Sequence, residues 1–175
     1  MHEGNPQDFA YDVMTGISAG AINTGAMSVW AKEDGLAMSE WLSEMWDSID
    51  NHDIWKFWPD GIVGALTDEP SFIDDSPMLA FLRNVLQDFP EGVKRPSSMV
   101  GTVDANNAHY QRWFLEDIPQ DKILDLGPSA IVSSASIPGV FPPTLYEGAV
   151  YVDGGTAMGL DAISAVENCL KIVED

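Results

Sequence analysis

Positive charge is scarce in this chain: eight Lys and Arg stand against 28 Asp and Glu in 175 residues, a formal net charge of -20. So acidic a surface repels a phosphate backbone unless its cations are gathered in one stripe. Here they are scattered, with only Lys94 and Arg95 adjacent, so nucleic acid is excluded as a partner. Attraction to an anionic membrane is also weak, and any lipid contact would have to come through apolar or aromatic side chains. Cysteine is nearly absent. The single Cys169 excludes an intrachain disulfide, gives an oxidising compartment no support, and reads as an ordinary buried thiol. No apolar run approaches the length of a membrane span, and Met1 to Ala10 hold none that suits a signal peptide. A soluble, cytoplasmic protein is the expectation. Histidine is limited to His2, His52 and His109, with none in the 66 residues from 110 to 175.

What is present argues for a packed domain. With 45% hydrophobic residues and six Trp the chain is no disordered acidic tail, and its length suits one domain, 1–175. Phe9 to Met14 reads as a strand running into the turn Thr15-Gly16-Ile17-Ser18-Ala19-Gly20, and the small residues from Ala19 to Ala31 read as a helix packed closely on a sheet. This elbow region spans 11–31. A helical insert follows over 35–90. It has helices at Leu36 to Ile49 and from Ser76-Pro77 to Phe89, separated by loops with one short helix between Asn51 and Asp75. Met99 to Val103 and His109 to Phe114 pair as a hairpin across Asn106-Asn107. The C-terminal segment, 129–175, holds a helix at Ser129 to Ser136, short strands at Thr144 to Tyr146 and Ala149 to Val152, and a helix from Leu160 to Val173. Strands interleaved with helices define an α/β layered fold, with a mostly parallel central sheet flanked by helices.

Two segments carry chemistry. Gly16-Ile17-Ser18-Ala19-Gly20 is a G-x-S-x-G sequence between a strand and a helix, the setting of a nucleophile elbow in which Ser18 projects from a sharp turn. Gly16 and Gly20 are expected because side chains at both positions would crowd the turn. Ser18 would sit at a helix N-terminus, where the backbone N–H of Ala19 and the helix dipole favour developing negative charge. A nucleophile needs a base. The histidines are poorly placed, and His109 in a strand beside a turn reads better as solvent-facing than as a triad member. Asp153 follows a strand and precedes Gly154-Gly155, so the backbone there can approach another loop closely and hold the carboxylate at the sheet edge. A carboxylate in that role must be partly desolvated.

Gly16-Ile17-Ser18-Ala19-Gly20-Ala21-Ile22-Asn23, then Ala135-Ser136-Ile137-Pro138-Gly139-Val140-Phe141-Pro142-Pro143, then Tyr151-Val152-Asp153-Gly154-Gly155, in this order, resembles the patatin-like phospholipase family from about Tyr11 to Ala165. The resemblance implies a Ser-Asp dyad, Ser18 as nucleophile and Asp153 as base, hydrolysing lipid acyl esters as a phospholipase or lysophospholipase through an acyl-enzyme, without metal or organic cofactor. Its partners would be the lipid ester and a membrane or lipid-droplet surface. The family's glycine-rich oxyanion loop has no counterpart in the 17 residues before Ser18, and Gly159 and Asp161 stand where Asn-x-Pro is frequent. The chain thus reads as a partial patatin-like domain, lacking the first strand and oxyanion loop, with marginal stability or self-association as the expected result. The alternatives are a catalytically impaired fragment that binds lipid or protein, and a histidine-dependent esterase using His109. Trp41, Trp46, Trp55, Phe57 and Trp58 suggest either core packing or a lipid-contacting edge. Asp68, Glu69, Asp74 and Asp75 lack the spacing of a calcium loop.

Overall fold

The computed structural model describes residues 10–67, 69–95 and 97–174. Strand β1 occupies Met14–Gly16. It begins later than the expected Phe9 to Met14 and takes in the first residues of the turn motif; Phe9 lies outside the described residues. Helix α1 (Ala19–Ser28) follows at once, burying Ala21, Ile22, Gly25 and Ala26. Helix α2 (Gly35–Ser48) leads to a region holding two short helices rather than one, α3 (Asn51–Ile54) and α4 (Gly61–Thr67). A capping box makes the four-residue α3 possible: the Asp50 carboxylate accepts the His52 N–H at 2.6 Å, and Asp53 accepts the Asp50 N–H at 3.0 Å.

Helix α5 (Ser76–Gln87) has Asp75 rather than Ser76 at its N-cap, because both the N–H and the hydroxyl of Ser76 donate to Asp74, at 2.8 and 3.1 Å. Strands β2 (Ser98–Asp104) and β3 (His109–Phe114) form the expected hairpin. Asp104 fastens its turn by accepting from the Asn106 N–H and the Asn107 side chain. Helix α6 (Ile123–Ala135) starts six residues before the expected Ser129. Gly127-Pro128 looks like a break in the sequence, yet Pro128 sacrifices one intrahelical bond in the second turn while being fully buried. Strands β4 (Thr144–Tyr146) and β5 (Ala149–Asp153) and helix α7 (Ala162–Glu174) complete the chain.

The sheet is mixed, which corrects the expectation of a mostly parallel one. Among the described residues only β1 and β2 pair in parallel; β2 with β3, β2 with β5 and β4 with β5 are antiparallel. Strands joined by a tight turn cannot run parallel, since a parallel pair needs a long crossover. Strand β2 has three partners. The hairpin partner β3 takes one edge from Met99 to Asp104. Strand β1, pairing Met14 to Gly16 with Ser98 to Val100, and β5, pairing Tyr151 to Asp153 with Asp104 to Thr102, must therefore share the other edge. They run toward each other and both end at Gly101.

Helices cover both faces. The core joins Ala21, Ile22 and Ala26 of α1, Leu82 and Val85 of α5, and Ala130, Ile131 and Val132 of α6 with Val100 of β2. On the other face lies α7, whose leading residue Asp161 has a backbone carbonyl that accepts the Thr15 hydroxyl at 3.4 Å. This helix turns its polar side inward: Ser164 and Asn168 are buried, while Ile163, Val166, Leu170 and Val173 are exposed. Cys169 is consequently exposed, not buried as expected. Buried Asp161 sets that orientation, its carboxylate accepting the N–H and hydroxyl of Ser164 at 2.9 and 2.6 Å.

The tryptophans divide between packed and exposed positions. Trp41 packs on the core beside Trp30 and Phe89. Trp46 is exposed and donates its indole N–H to Asn23 of α1 at 2.7 Å, and exposed Phe57 packs against Trp55. Among the described residues no helix is long and apolar enough to cross a membrane.

Candidate active site

Ser18 has φ 58° and ψ -126°, a conformation that costs a non-glycine residue on the order of 1–3 kcal/mol and persists only when its surroundings hold it. The hold is visible. Its N–H donates to both the carbonyl and the hydroxyl oxygen of Ser134, each at 3.1 Å, and its carbonyl accepts the Ala21 N–H at 2.9 Å. The Gly20 N–H closes the turn on the Ile17 carbonyl, also at 2.9 Å. A Cβ on Gly16 would overlap the Gly20 carbonyl, so glycine is required there. A Cβ on Gly20 would meet nothing within 4 Å. The expectation that both flanking glycines are sterically required is therefore corrected, since Gly20 brings its carbonyl, not its α-carbon, into the crowded spot. Ser18 is half-buried, and the exposed Ala19 keeps an N–H that no group accepts among the described residues.

Asp153, 5% exposed, is the last residue of β5. Its N–H donates to the Ser136 carbonyl at 2.9 Å, and its Oδ1 accepts the Gly155 N–H at 2.6 Å. Gly154 makes the close approach foreseen for the Asp-Gly-Gly turn. A Cβ there would overlap the Gly101 carbonyl and lie 3.2 Å from the side chain of Ile17. The serine turn and the aspartate turn are thus in contact through Ile17 and Gly154. Among the described residues, the Ser18 hydroxyl and the second carboxylate oxygen of Asp153 make no hydrogen bond to each other or to another group. Such bonds commonly tighten only when substrate is bound.

The described histidines stand apart from this junction. His109 opens β3 opposite Asp104, exposed and on the far side of β2 from β1 and β5. His52 lies in the first turn of α3, and His2 lies outside the described residues, as does Asp68. Asp74 of the acidic group pairs with Lys56 at 3.2 Å.

Four further contributors to the site had no role assigned from the sequence, although Ser136 lies within the Ala135 to Pro143 motif and Asp161 stands where the chain departs from the family pattern. Gly101 is the residue against which both strands end, and the Tyr110 hydroxyl fills the space its side chain would take. Ser134 and Ser136 bind the backbones of Ser18 and Asp153. Asp161 lies 3.6 Å from the Arg112 guanidinium. Burial would raise its pKa, but the Ser164 bonds and the Arg112 charge together hold it below the usual value. The neighbouring Tyr110 is pushed upward by burial and by that carboxylate. The repeated serines before Ile137 were the one available signal, and serines in a helix end point to many other roles.

The fold and the turn define a class, α/β proteins with a serine on a strained strand-to-helix elbow. The family model for patatin-like phospholipase matches residues 5–166, and the chain belongs to that family. Members of that family are generally hydrolytic lipid esterases. A search of curated proteins found no match.

Proposed function

We propose that the chain hydrolyses lipid acyl esters, as a phospholipase or lysophospholipase, with Ser18 as nucleophile and Asp153 as base. The observation that carries this reading is the contact of the two turns, where β1 and β5 end against each other at Gly101 and Gly154 packs on Ile17. With Oδ1 of Asp153 occupied by the Gly155 N–H, its other oxygen is the one free to take the Ser18 proton. The serine oxygen adds to the ester carbonyl, and the Ala19 N–H at the start of α1 donates to the oxyanion. Collapse expels the alcohol, which takes the proton from Asp153. Water deprotonated by Asp153 then attacks the acyl-serine, releasing the fatty acid and restoring the hydroxyl. At a net charge of -20, contact with a membrane or lipid-droplet surface would run through exposed apolar side chains such as Leu145 and Leu160.

The test is labelling by a fluorophosphonate together with hydrolysis of a lysophospholipid. Ser18→Ala should abolish both, Asp153→Asn should lower turnover by roughly a thousandfold or more, and His109→Ala should leave it unchanged. Loss of activity in His109→Ala with Asp153→Asn spared would replace the dyad by a histidine-dependent mechanism.

A further inference from the structure

Ser18 and Asp153 are 135 positions apart in the chain, yet one short segment holds both. The last carbonyls of a helix have no partner inside it. At the end of α6 two such groups are given to the two turns, the Ser134 carbonyl to the Ser18 N–H at 3.1 Å and the Ser136 carbonyl to the Asp153 N–H at 2.9 Å. The Ser134 hydroxyl adds a further tie. It donates to the Gly101 carbonyl at 2.6 Å and accepts from the Ser18 N–H at 3.1 Å, so it bridges the strained turn to β2 at the point where β1 and β5 meet. Its neighbours do nothing comparable. The Ser133 and Ser136 hydroxyls fold back on α6, donating to the carbonyls of Ala130 and Val132 at 2.7 and 2.9 Å. Ser134 is fully buried, so water cannot replace its hydroxyl without rearrangement.

We propose that Ser134 is a positioning residue for the hydrolytic reaction, its hydroxyl setting where Ser18 stands relative to Asp153. The inference rests on the Ser18–Asp153 reading and goes beyond it. Without the hydroxyl, the Gly101 carbonyl loses its donor and the Ser18 N–H keeps a single acceptor, so a backbone held at positive φ is opposed by fewer bonds. Ser134 reaches the reaction only through Ser18, so its loss should lower kcat and leave KM unaltered, because a misplacement of about 1 Å costs up to about a hundredfold in rate.

The experiment compares Ser134→Ala with Ser133→Ala, which removes an equally buried serine hydroxyl bonded only within α6. Turnover of a soluble acyl ester is measured per site titrated by fluorophosphonate, so that unfolded protein does not count. Backbone amide exchange is followed at Ser18 and Asp153. Ser134→Ala should lower kcat per titrated site by about ten- to a hundredfold at unchanged KM. It should also speed exchange at Ser18 by about tenfold or more while leaving Asp153 as it was. Ser133→Ala should do neither. An unchanged kcat per titrated site in Ser134→Ala, or an equal loss in Ser133→Ala, would overturn the proposal. If the unaltered protein hydrolyses no ester, the proposed function fails. The positioning claim is then decided by exchange alone, and unchanged exchange at Ser18 in Ser134→Ala would overturn it.

Discussion

Of the two glycines that bracket Ser18, only Gly16 is under steric pressure. Alanine there would force two backbone segments apart inside the core, and Gly16→Ala should destabilise the fold by about 3 kcal/mol. Gly20 faces open space at the start of α1 and has a backbone that other residues adopt. Gly20→Ala should therefore be neutral or stabilising by up to about 1 kcal/mol, since it removes chain entropy from the unfolded state. Urea unfolding of both variants at constant m checks the pair. Equal losses would show that the turn is crowded from both sides after all. The motif pattern treats the two glycines alike because it records residue types, while the difference lies in which atoms of Gly20 point at Gly16.

Helix ends decide much of the local electrostatics, and α5 shows how. Asp75 at its N-cap shares a recess with Leu79, Val132, Pro142 and Pro143. Burial, with the adjacent charge of Asp74, pushes Asp75 up to about 6. Asp74 itself suffers burial, yet its bonds from Ser76 and its Lys56 partner hold it below the ordinary value. The signs are opposite. A raised folded pKa means that the Asp75 contribution is complete below its unfolded value of 3.8 and is lost as pH rises through about 6. The Asp74 contribution is present above 3.8 and disappears only on acidification below it. Asp75→Asn should accordingly flatten the dependence of Tm on pH between about 4 and 6 and raise Tm above that window. A variant whose pH profile overlays the unaltered protein would assign the slope to other groups. Most helices and the β2–β3 hairpin were legible in the sequence, because apolar periodicity and turn residues act locally. The first turns of α6 were not, because Pro128 carries a local penalty that only tertiary burial outweighs.

At the scale of the whole molecule, charge imbalance is the dominant long-range force. Eight Lys and Arg cannot neutralise 28 Asp and Glu, so most carboxylates repel one another. The ion pairs that do form, such as Lys56–Asp74 and Arg83–Asp125, have at least one partner partly exposed and contribute less than about 1 kcal/mol each. Adding sodium chloride at neutral pH should therefore raise Tm, since screening removes more repulsion than attraction. A fall in Tm with salt would show that the few pairs outweigh the uncompensated acids.

By itself the sequence determined the local features of this protein: the strand-turn-helix around Ser18, the Asp-Gly-Gly turn, the absence of histidine after His109 and the likeness to a lipid hydrolase family. These follow from short-range sterics and residue chemistry within a few positions. Only the tertiary structure decided that β1 and β5 end against each other on one edge of β2, that α6 ties Ser18 and Asp153 together, and that α7 turns Cys169 outward. Those outcomes depend on strand register and on which helix face is buried, and both are set by contacts between segments far apart in the chain.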